Sequence, residues 1–429
     1  MKRTQKIFTV VDIQTFIKKC VIWTQQFDEV VILDSNEYQS PHQSVEKLIA
    51  CDALTSIQTD QIDQLYEYQS QLRDWCFGFI TFDVKDQLYN VKSLNVDNLH
   101  FPDMVFFQPK RLIECKENQV IFSYLPMCEE EIDTDFLAIH EIDISETFSH
   151  QPITLQARVP FNRYQEKFQK AIDYIYRGDT YELNYCIEFY SDHATIDPHI
   201  FYNCLNEKTK SSFAAFLKWR HLYAACASPE RYLKKQGEYV ITQPIKGTAK
   251  RGATESEDKE LIEYLQNHPK ERAENVMIVD LVRNDLSKIA LKNTVKVEEL
   301  CAIYTFSHVH QMISTVSCQV DLQMHPLEIV FQTFPMGSMT GVPKKRTLEI
   351  IDELEDHKRG LYSGTIGYIA PDLSFDFNVV IRTLLYNSHN QYISLSVGSA
   401  ITFVANAHDE YNECLLKAST IRNILAQND

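Results

Sequence analysis

The sequence predicts an α+β fold with largely antiparallel sheets. Strand-like stretches come in runs, helical stretches are interspersed without strict strand–helix alternation, and no internal repeat is visible. A chain of 429 residues, 44% hydrophobic and 24% charged, has room for a large core or two lobes and the make-up of a soluble enzyme.

Residues 1–150 read as one lobe. Apolar, β-branched runs predict strands at 30–35, 76–82 and 120–124, and the acidic stretch 128–135 predicts a surface loop. Polar residues around 145–156 mark the linker to a second region, 155–429. That region opens with a helix over 164–177, where Tyr164, Phe168, Ala171, Ile172 and Ile175 share one face and Gly178 ends it. Strands are expected at 183–190, 214–219, 223–227 and 239–245. A helix over 273–289 follows, with Val276, Val279, Val282, Leu286 and Ile289 at helical spacing. Further strands fall around 305–318, 364–370, 377–387 and 391–399, and a last helix runs over 408–426.

A net charge of −17 argues against nucleic acid or an anionic membrane as the main partner. Eleven cysteines without CxxC spacing suit free thiols in a reducing compartment. The first residues lead into no apolar signal region and no apolar run reaches 18 residues, so the expected location is cytoplasmic.

Chemistry concentrates in four places. In Pro244-Ile245-Lys246-Gly247-Thr248, a strand is stopped by proline and followed by a lysine between Ile245 and a glycine. Such an amine either snorkels to solvent or is partly desolvated, which lowers its pKa and frees it as a nucleophile. In Ser228-Pro229-Glu230-Arg231, a turn places Glu230 within reach of Lys246 if strands 223–227 and 239–245 are neighbours. Glu230 is then an ion-pair partner or an acid/base group. Glu274 opens a helix whose later turn carries Asp280, Arg283, Asn284 and Asp285, while Glu410 and Glu413 share a face of the last helix. Carboxylates with few His or Cys nearby suit a hard cation such as Mg²⁺, or simply form solvated helix faces. Finally, the glycine-containing run 334–346 precedes a helix over 347–354 and offers N–H groups to a carboxylate or phosphate. It lacks GxxxxGK[ST] and is not a P-loop.

Taken in order, these stretches resemble the chorismate-utilising enzymes, above all the aminodeoxychorismate synthase component I branch. The resemblance is strong over roughly residues 160–425. It rests on Gly178-Asp179-Thr180-Tyr181-Glu182-Leu183-Asn184, the Glu230 and Lys246 motifs, the run from Ala273 to Asp285, His310, 334–344, Arg359-Gly360-Leu361-Tyr362-Ser363-Gly364, Ile381-Arg382-Thr383 and Glu410-Tyr411-Asn412-Glu413. It implies two large, mostly antiparallel sheets packed together, helices outside, shared between the N-terminal and catalytic regions. Aminodeoxychorismate synthases are similar in carrying PIKGT, where anthranilate synthases carry PIAGT. Isochorismate and salicylate synthases place a catalytic lysine at the position of Glu182.

By that resemblance Lys246 attacks C2 of chorismate while the C4 hydroxyl leaves, and ammonia then adds at C4 and expels the lysine. Glu230 is the implied general acid and base. Glu274 and Glu413, with Glu410 directly or through water, are the implied Mg²⁺ ligands. Tyr362 and Arg382 clamp the enolpyruvyl carboxylate. Gly247 and Gly398 offer N–H groups and Ser338 a hydroxyl, with Thr248 also lining the substrate. His310 orients the ring or supports proton transfer, or is a satisfied core histidine. The chain departs from the family at Val397-Gly398-Ser399-Ala400-Ile401-Thr402, in an unusual 403–409 segment, at Ser211-Ser212-Phe213, which lacks a proline, and in having Ser338 for a threonine. No GxCxGxQ glutaminase signature is present, so ammonia is expected from a separate glutamine amidotransferase subunit or free in solution. Leu33-Asp34-Ser35 lies where relatives hold tryptophan, which suggests tryptophan near Ser35. Anthranilate or isochorismate synthesis, and a non-catalytic amidotransferase partner, are the alternatives.

Overall fold

A computed structural model describes residues 2–36, 38, 42, 46–144, 151–306 and 309–427. Strand Glu29–Asp34 shows the plan. Successive side chains point to opposite faces. Val31 therefore enters a core between two sheets, while Val30 and Ile32 enter a second core under the outer helices. Every pairing is antiparallel. The first sheet runs through Thr4–Thr9, Gln119–Tyr124, Met104–Lys116, Lys47–Thr59, Glu29–Asp34, Phe213–Trp219, Leu222–Ser228, Thr383–Asn387, Tyr392–Thr402 and Glu182–Ser191. The second leaves Met104–Lys116 through Cys76–Ile80, Thr365–Ile369, Phe375–Asn378, Arg231–Gln236 and Tyr239–Gln243 to Val309–Gln319. That strand also pairs with Ile245–Lys250 and Lys296–Thr305. The expected pair of packed antiparallel sheets is present, joined through one long strand. Strands from the first 150 residues are built into both.

Helices Ile13–Trp23, Phe161–Tyr176, Pro198–Thr209 and Ala407–Ala426 cover the outer face of the first sheet, and Pro269–Ser287 covers the second. Gly178 ends its helix as expected. Its φ of +78° lets its N–H reach the Ile175 carbonyl at 2.9 Å, and the Asp179 N–H reaches Tyr174 at 3.0 Å.

Four expectations change. The acidic stretch 128–135 is a 3₁₀ turn running into helix Ile132–Glu141, because Ile132 and Ile139 fall on one face and bury. The strand expected over 239–245 breaks at Pro244, which has no N–H to donate, and resumes as Ile245–Lys250, so Lys246 lies within a strand. The strand expected over 377–387 is two, Phe375–Asn378 in the second sheet and Thr383–Asn387 in the first. Strands Leu222–Ser228 and Tyr239–Gln243 are not neighbours: the first pairs with Phe213–Trp219 and Thr383–Asn387, the second with Arg231–Gln236 and Val309–Gln319. Residues 145–150 of the expected linker lie outside the described residues.

Candidate active site

The chain crosses between the sheets at two adjacent corners, and each corner carries a predicted site residue. Glu230 lies between Leu222–Ser228 and Arg231–Gln236, and Arg382 lies just before Thr383–Asn387. The corners are tied together. The Val379 N–H donates to the Glu230 carbonyl at 3.0 Å, and the Ala227 N–H to the Arg382 carbonyl at 3.2 Å. Arg382 has a φ of +51°, strained for a residue with a side chain. Among the described residues no hydrogen bond or ion pair engages its guanidinium. Burial lowers its pKa although Glu230 and Glu413 act the other way. An arginine held without a protein partner suits an incoming carboxylate.

Glu230 is 6% exposed and its Oε1 accepts a hydrogen bond from the Ser338 hydroxyl at 2.7 Å. Burial pushes its carboxyl up to about 7, against the opposing pull of Ser338, Lys246, Lys417 and Arg382. A carboxyl that keeps its proton near neutrality can serve as a general acid. Ser338 sits in the 3₁₀ turn Gly337–Met339 and is spent on Glu230. Lys344 closes the rest of that run, donating to Asp285 at 2.6 Å, Thr333 O at 3.0 Å and Pro335 O at 2.8 Å. The run is thus fastened to Pro269–Ser287 through Asp285, whereas Asp280 and Arg283 pair with each other on the surface.

Lys246 projects from a β-bulge. Pairing with Val309–Gln319 slips between Ile245 and Thr248, and Gly247 takes the φ of +87° the bulge demands. The Lys246 side chain is 15% exposed, and its Nζ donates to Glu182 Oε1 at 3.1 Å. The lowered amine pKa expected from the sequence is not met, although burial by itself would depress it. The Glu182, Glu274 and Glu413 carboxylates outweigh burial and hold it above the ordinary lysine value. A Cβ on Gly247 would lie 3.1 Å from both Leu265 Cδ1 and Glu271 Oε2, so this glycine is packed against helices. Thr248 is exposed on the strand.

The carboxylates expected to hold a cation lie around this lysine. Lys270 Nζ lies 3.3 Å from Glu410 Oε1 and 3.8 Å from Glu274 Oε1, so these two converge on one ammonium. Burial pushes Glu274 up to about 7 despite Lys246 and Lys270, and burial with Glu413 raises Glu410. Glu413 turns to Lys417 at 2.6 Å; burial pushes it up, but Lys417, Lys246 and Lys270 together bring it below the usual range. Among the described residues no group of three or more His, Cys, Asp or Glu is gathered for a metal, so the expected trio does not converge as a set. Lys417 also donates to the Gly398 carbonyl at 2.8 Å, and a Cβ on Gly398 would meet Asn184 Oδ1 at 2.6 Å and Cys186 Sγ at 2.8 Å.

Two expected residues sit apart from this cluster's hydrogen bonds. His310 is fully buried, with Nδ1 2.9 Å from the Thr305 hydroxyl and Nε2 2.8 Å from Asp258. Tyr362 is 3% exposed, and burial beside Cys186 raises its hydroxyl pKa well above normal. Lys270 and Lys417 carry charge in the site and were not singled out from the sequence. Each stands four residues from a glutamate on the same helix face, Lys270 before Glu274 and Lys417 after Glu413, which was the available signal.

Where the two antiparallel sheets meet, a buried carboxyl, a largely buried lysine amine and an arginine without a protein partner among the described residues lie together. The model of the chorismate binding enzymes matches residues 18–423, and the chain belongs to that family. It is a chorismate-utilising enzyme. The chain is 32% identical to aminodeoxychorismate synthase component 1 of Bacillus subtilis, over 81% of this chain and 76% of that protein. It is 38% identical to the chloroplastic aminodeoxychorismate synthase of Arabidopsis thaliana over 62% of this chain, a span that makes up 29% of that longer protein. The fold is shared with anthranilate synthase component I from Streptococcus pneumoniae, at a TM-score of 0.76 and 24% identity over 90% of this chain and 95% of that one. Among the described residues no helix is long and apolar enough to cross a membrane.

Proposed function

We propose that this enzyme converts chorismate and ammonia to 4-amino-4-deoxychorismate through a covalent adduct of Lys246 at C2. The observation that carries the reading is Lys246 itself, a buried amine in a bulge sharing one field with the acid Glu230. Lys246 attacks C2 and Glu230 protonates the departing C4 hydroxyl. Arg382 receives the enolpyruvyl carboxylate. Ser338 positions Glu230, and Lys417 holds Glu413 and the Gly398 carbonyl in place.

Glu274, Glu410 and Glu413 are hard oxygen donors of the kind Mg²⁺ takes, although among the described residues they are not gathered as one set in this structure. A lysine ammonium already bridges Glu274 and Glu410, marking a cation position with hard oxygen donors. With Glu230 holding its proton, four glutamates, at 182, 274, 410 and 413, face four cations, at 246, 270, 382 and 417. Adding a dianionic substrate would leave the site net negative. Mg²⁺ on Glu274 and Glu413, with Glu410, would offset it and hold the C1 carboxylate.

Ammonia comes from a separate glutamine amidotransferase subunit, a partner consistent with the relative's designation as component 1. Tryptophan binds in the cavity beside Ser35, whose lining combines Leu33, Leu48, Phe213 and Tyr368 with Asp34 and the Arg231–Asp376 ion pair. Apolar walls beside charged groups suit an aromatic body with a charged end. Mass spectrometry of the denatured protein detects that tryptophan, and its absence removes the assignment.

The test of the reaction is direct. Purified chain, chorismate, ammonium and Mg²⁺ are incubated, a 4-amino-4-deoxychorismate lyase is added, and p-aminobenzoate is measured. Lys246→Ala must lose most of that product while still binding chorismate. Anthranilate with pyruvate, or isochorismate, as the product overturns the reading.

A further inference from the structure

We infer that Arg359 is a positioning residue for the reaction proposed above, on which this role rests: it sets the acid Glu230 and the amine Lys246 at a fixed separation. It lies between helix Lys344–Leu354 and strand Thr365–Ile369, with its side chain 1% exposed. The guanidinium lies over the Phe82 ring at 4.3 Å. All its N–H groups are committed. Nη1 donates to the Met339 carbonyl at 2.8 Å and to the Ser363 hydroxyl at 3.2 Å. Nη2 donates to the Asn184 carbonyl at 2.8 Å and to Glu355 Oε1 at 2.6 Å, and Nε donates to Glu355 Oε2 at 3.0 Å.

The acceptors point to the site. Met339 follows Ser338 in the 3₁₀ turn Gly337–Met339, and Ser338 holds Glu230 at 2.7 Å. Asn184 stands two places after Glu182 on strand Glu182–Ser191, and Glu182 holds Lys246 Nζ at 3.1 Å. The Asn184 N–H also donates to the Thr340 carbonyl at 2.8 Å, so turn and strand meet here. Glu355 braces the same strand, because its Oε1 accepts the Cys186 N–H at 2.9 Å. Ser363 extends the frame to the corner of Arg382. Its N–H donates to the carbonyl of Val380, two residues earlier, at 2.8 Å. One planar guanidinium thus joins the backbone segments that carry the acid's partner, the lysine's partner and the arginine's corner.

A buried ion pair by itself is weak evidence of stability, since apolar residues of similar volume often serve as well. Apolar residues cannot hold the carbonyls of two different segments at set distances. Lysine cannot either, because its ammonium is a point charge on a flexible stem. In the reaction Lys246 bonds C2 while Glu230 protonates the oxygen on C4, so the separation of the two groups has to match the ring. A misplacement of about 1 Å costs on the order of 100-fold in rate. Loosening the turn also withdraws Ser338 from Glu230. The Ser338 hydroxyl and the charges of Lys246, Lys417 and Arg382 are the groups that oppose burial at Glu230. With the hydroxyl gone, Glu230 keeps its proton to higher pH.

Arg359→Lys is assayed for p-aminobenzoate formation with chorismate and ammonium from acid to alkaline pH. Its kcat falls roughly 10- to 100-fold, and the KM for chorismate stays within a few-fold. The reaction needs Glu230 protonated, so activity is lost as pH rises through the Glu230 pKa. This alkaline limb of kcat/KM moves up by about one unit, the effect of losing a hydrogen bond to a charged group. Ser338→Ala moves it equally, and the double variant moves it no further. A limb that stays in place, or shifts that add in the double variant, overturns the role.

Should Arg359→Lys fail to fold, Arg359→Met combined with Glu355→Leu replaces the pair by apolar residues. That variant melts near the parent temperature yet shows the same loss of kcat and the same raised limb. Parent-like turnover in it overturns the role. Failure of both variants to fold also overturns it, because the pair is then a requirement of the fold. If the unaltered enzyme makes no aminated product, the proposed reaction falls. If it aminates chorismate and the variants leave the limb in place, only the role of Arg359 falls.

Discussion

Glu230→Gln should make the protein more stable above neutral pH while removing its activity. The Glu230 carboxyl is pushed up to about 7 from the usual 4.5 by burial, only partly offset by Ser338, Lys246, Lys417 and Arg382. Between those two values the folded chain holds a proton that the unfolded chain has released. Stability therefore falls as pH rises from 4.5 to about 7, and the loss is complete above that. A shift of about 2.5 units corresponds to roughly 3 kcal/mol. Glutamine keeps the shape and an oxygen for the Ser338 hydroxyl, and has no charge to bury. The variant should match the parent near pH 4.5 and exceed it by about 3 kcal/mol at pH 8, a rise in melting temperature of roughly 3 °C for a chain of this length. Thermal melts across that range, beside assays of p-aminobenzoate formation, read both effects. An equal offset at both pH values would mean that no proton is held at Glu230, and retained amination would mean that the reaction does not use it.

Other sites give further tests. Arg382→Lys removes a planar fork from a cation without a protein partner, so the KM for chorismate should rise roughly 10- to 100-fold in steady-state assays. Mg²⁺ affinity should increase as pH rises through about 7, because Glu274 must lose its proton to bind; titration calorimetry in buffers of different ionisation enthalpy should detect the released proton. His310→Ala loses hydrogen bonds to Thr305 and Asp258 and should cost about 2–4 kcal/mol in denaturant unfolding. Larger loss of turnover than of stability would instead place His310 in the chemistry.

The sequence showed most of the strands because their apolar periodicity is local. Gly178 likewise declared its helix end through a local backbone requirement. The corners were not legible. Nothing in 377–387 says that the chain leaves one sheet after Asn378 and enters the other at Thr383, because both halves alternate as one strand would. That corner sets Arg382 beside Glu230, so the meeting of acid and arginine depends on pairings made by distant strands. Lys246 and Glu230 reach one site across the two corners, by a different route from the strand adjacency expected. Lys344 shows the same limit. It was read within a glycine-containing anion loop, whereas tertiary packing turns its ammonium onto Asp285 and closes that loop.

The field around Lys246 bears on why a lysine can serve here at all. Burial favours the neutral amine, but three glutamates reverse that preference and keep it protonated in the absence of substrate. In the proposed reaction a protonated amine cannot attack, so Lys246 would first give its proton to a carboxylate, and Glu182 is the one it already bonds. A divalent cation held by Glu274 and Glu413 would weaken their pull on Lys246 and favour that transfer. Mg²⁺ should therefore lower the pKa of Lys246. Labelling its amine with an acylating reagent at fixed pH, followed by peptide mass spectrometry, should be faster with Mg²⁺ than without. Equal labelling rates at Lys246, with surface lysines as the control, would mean that the cation and the amine are not coupled.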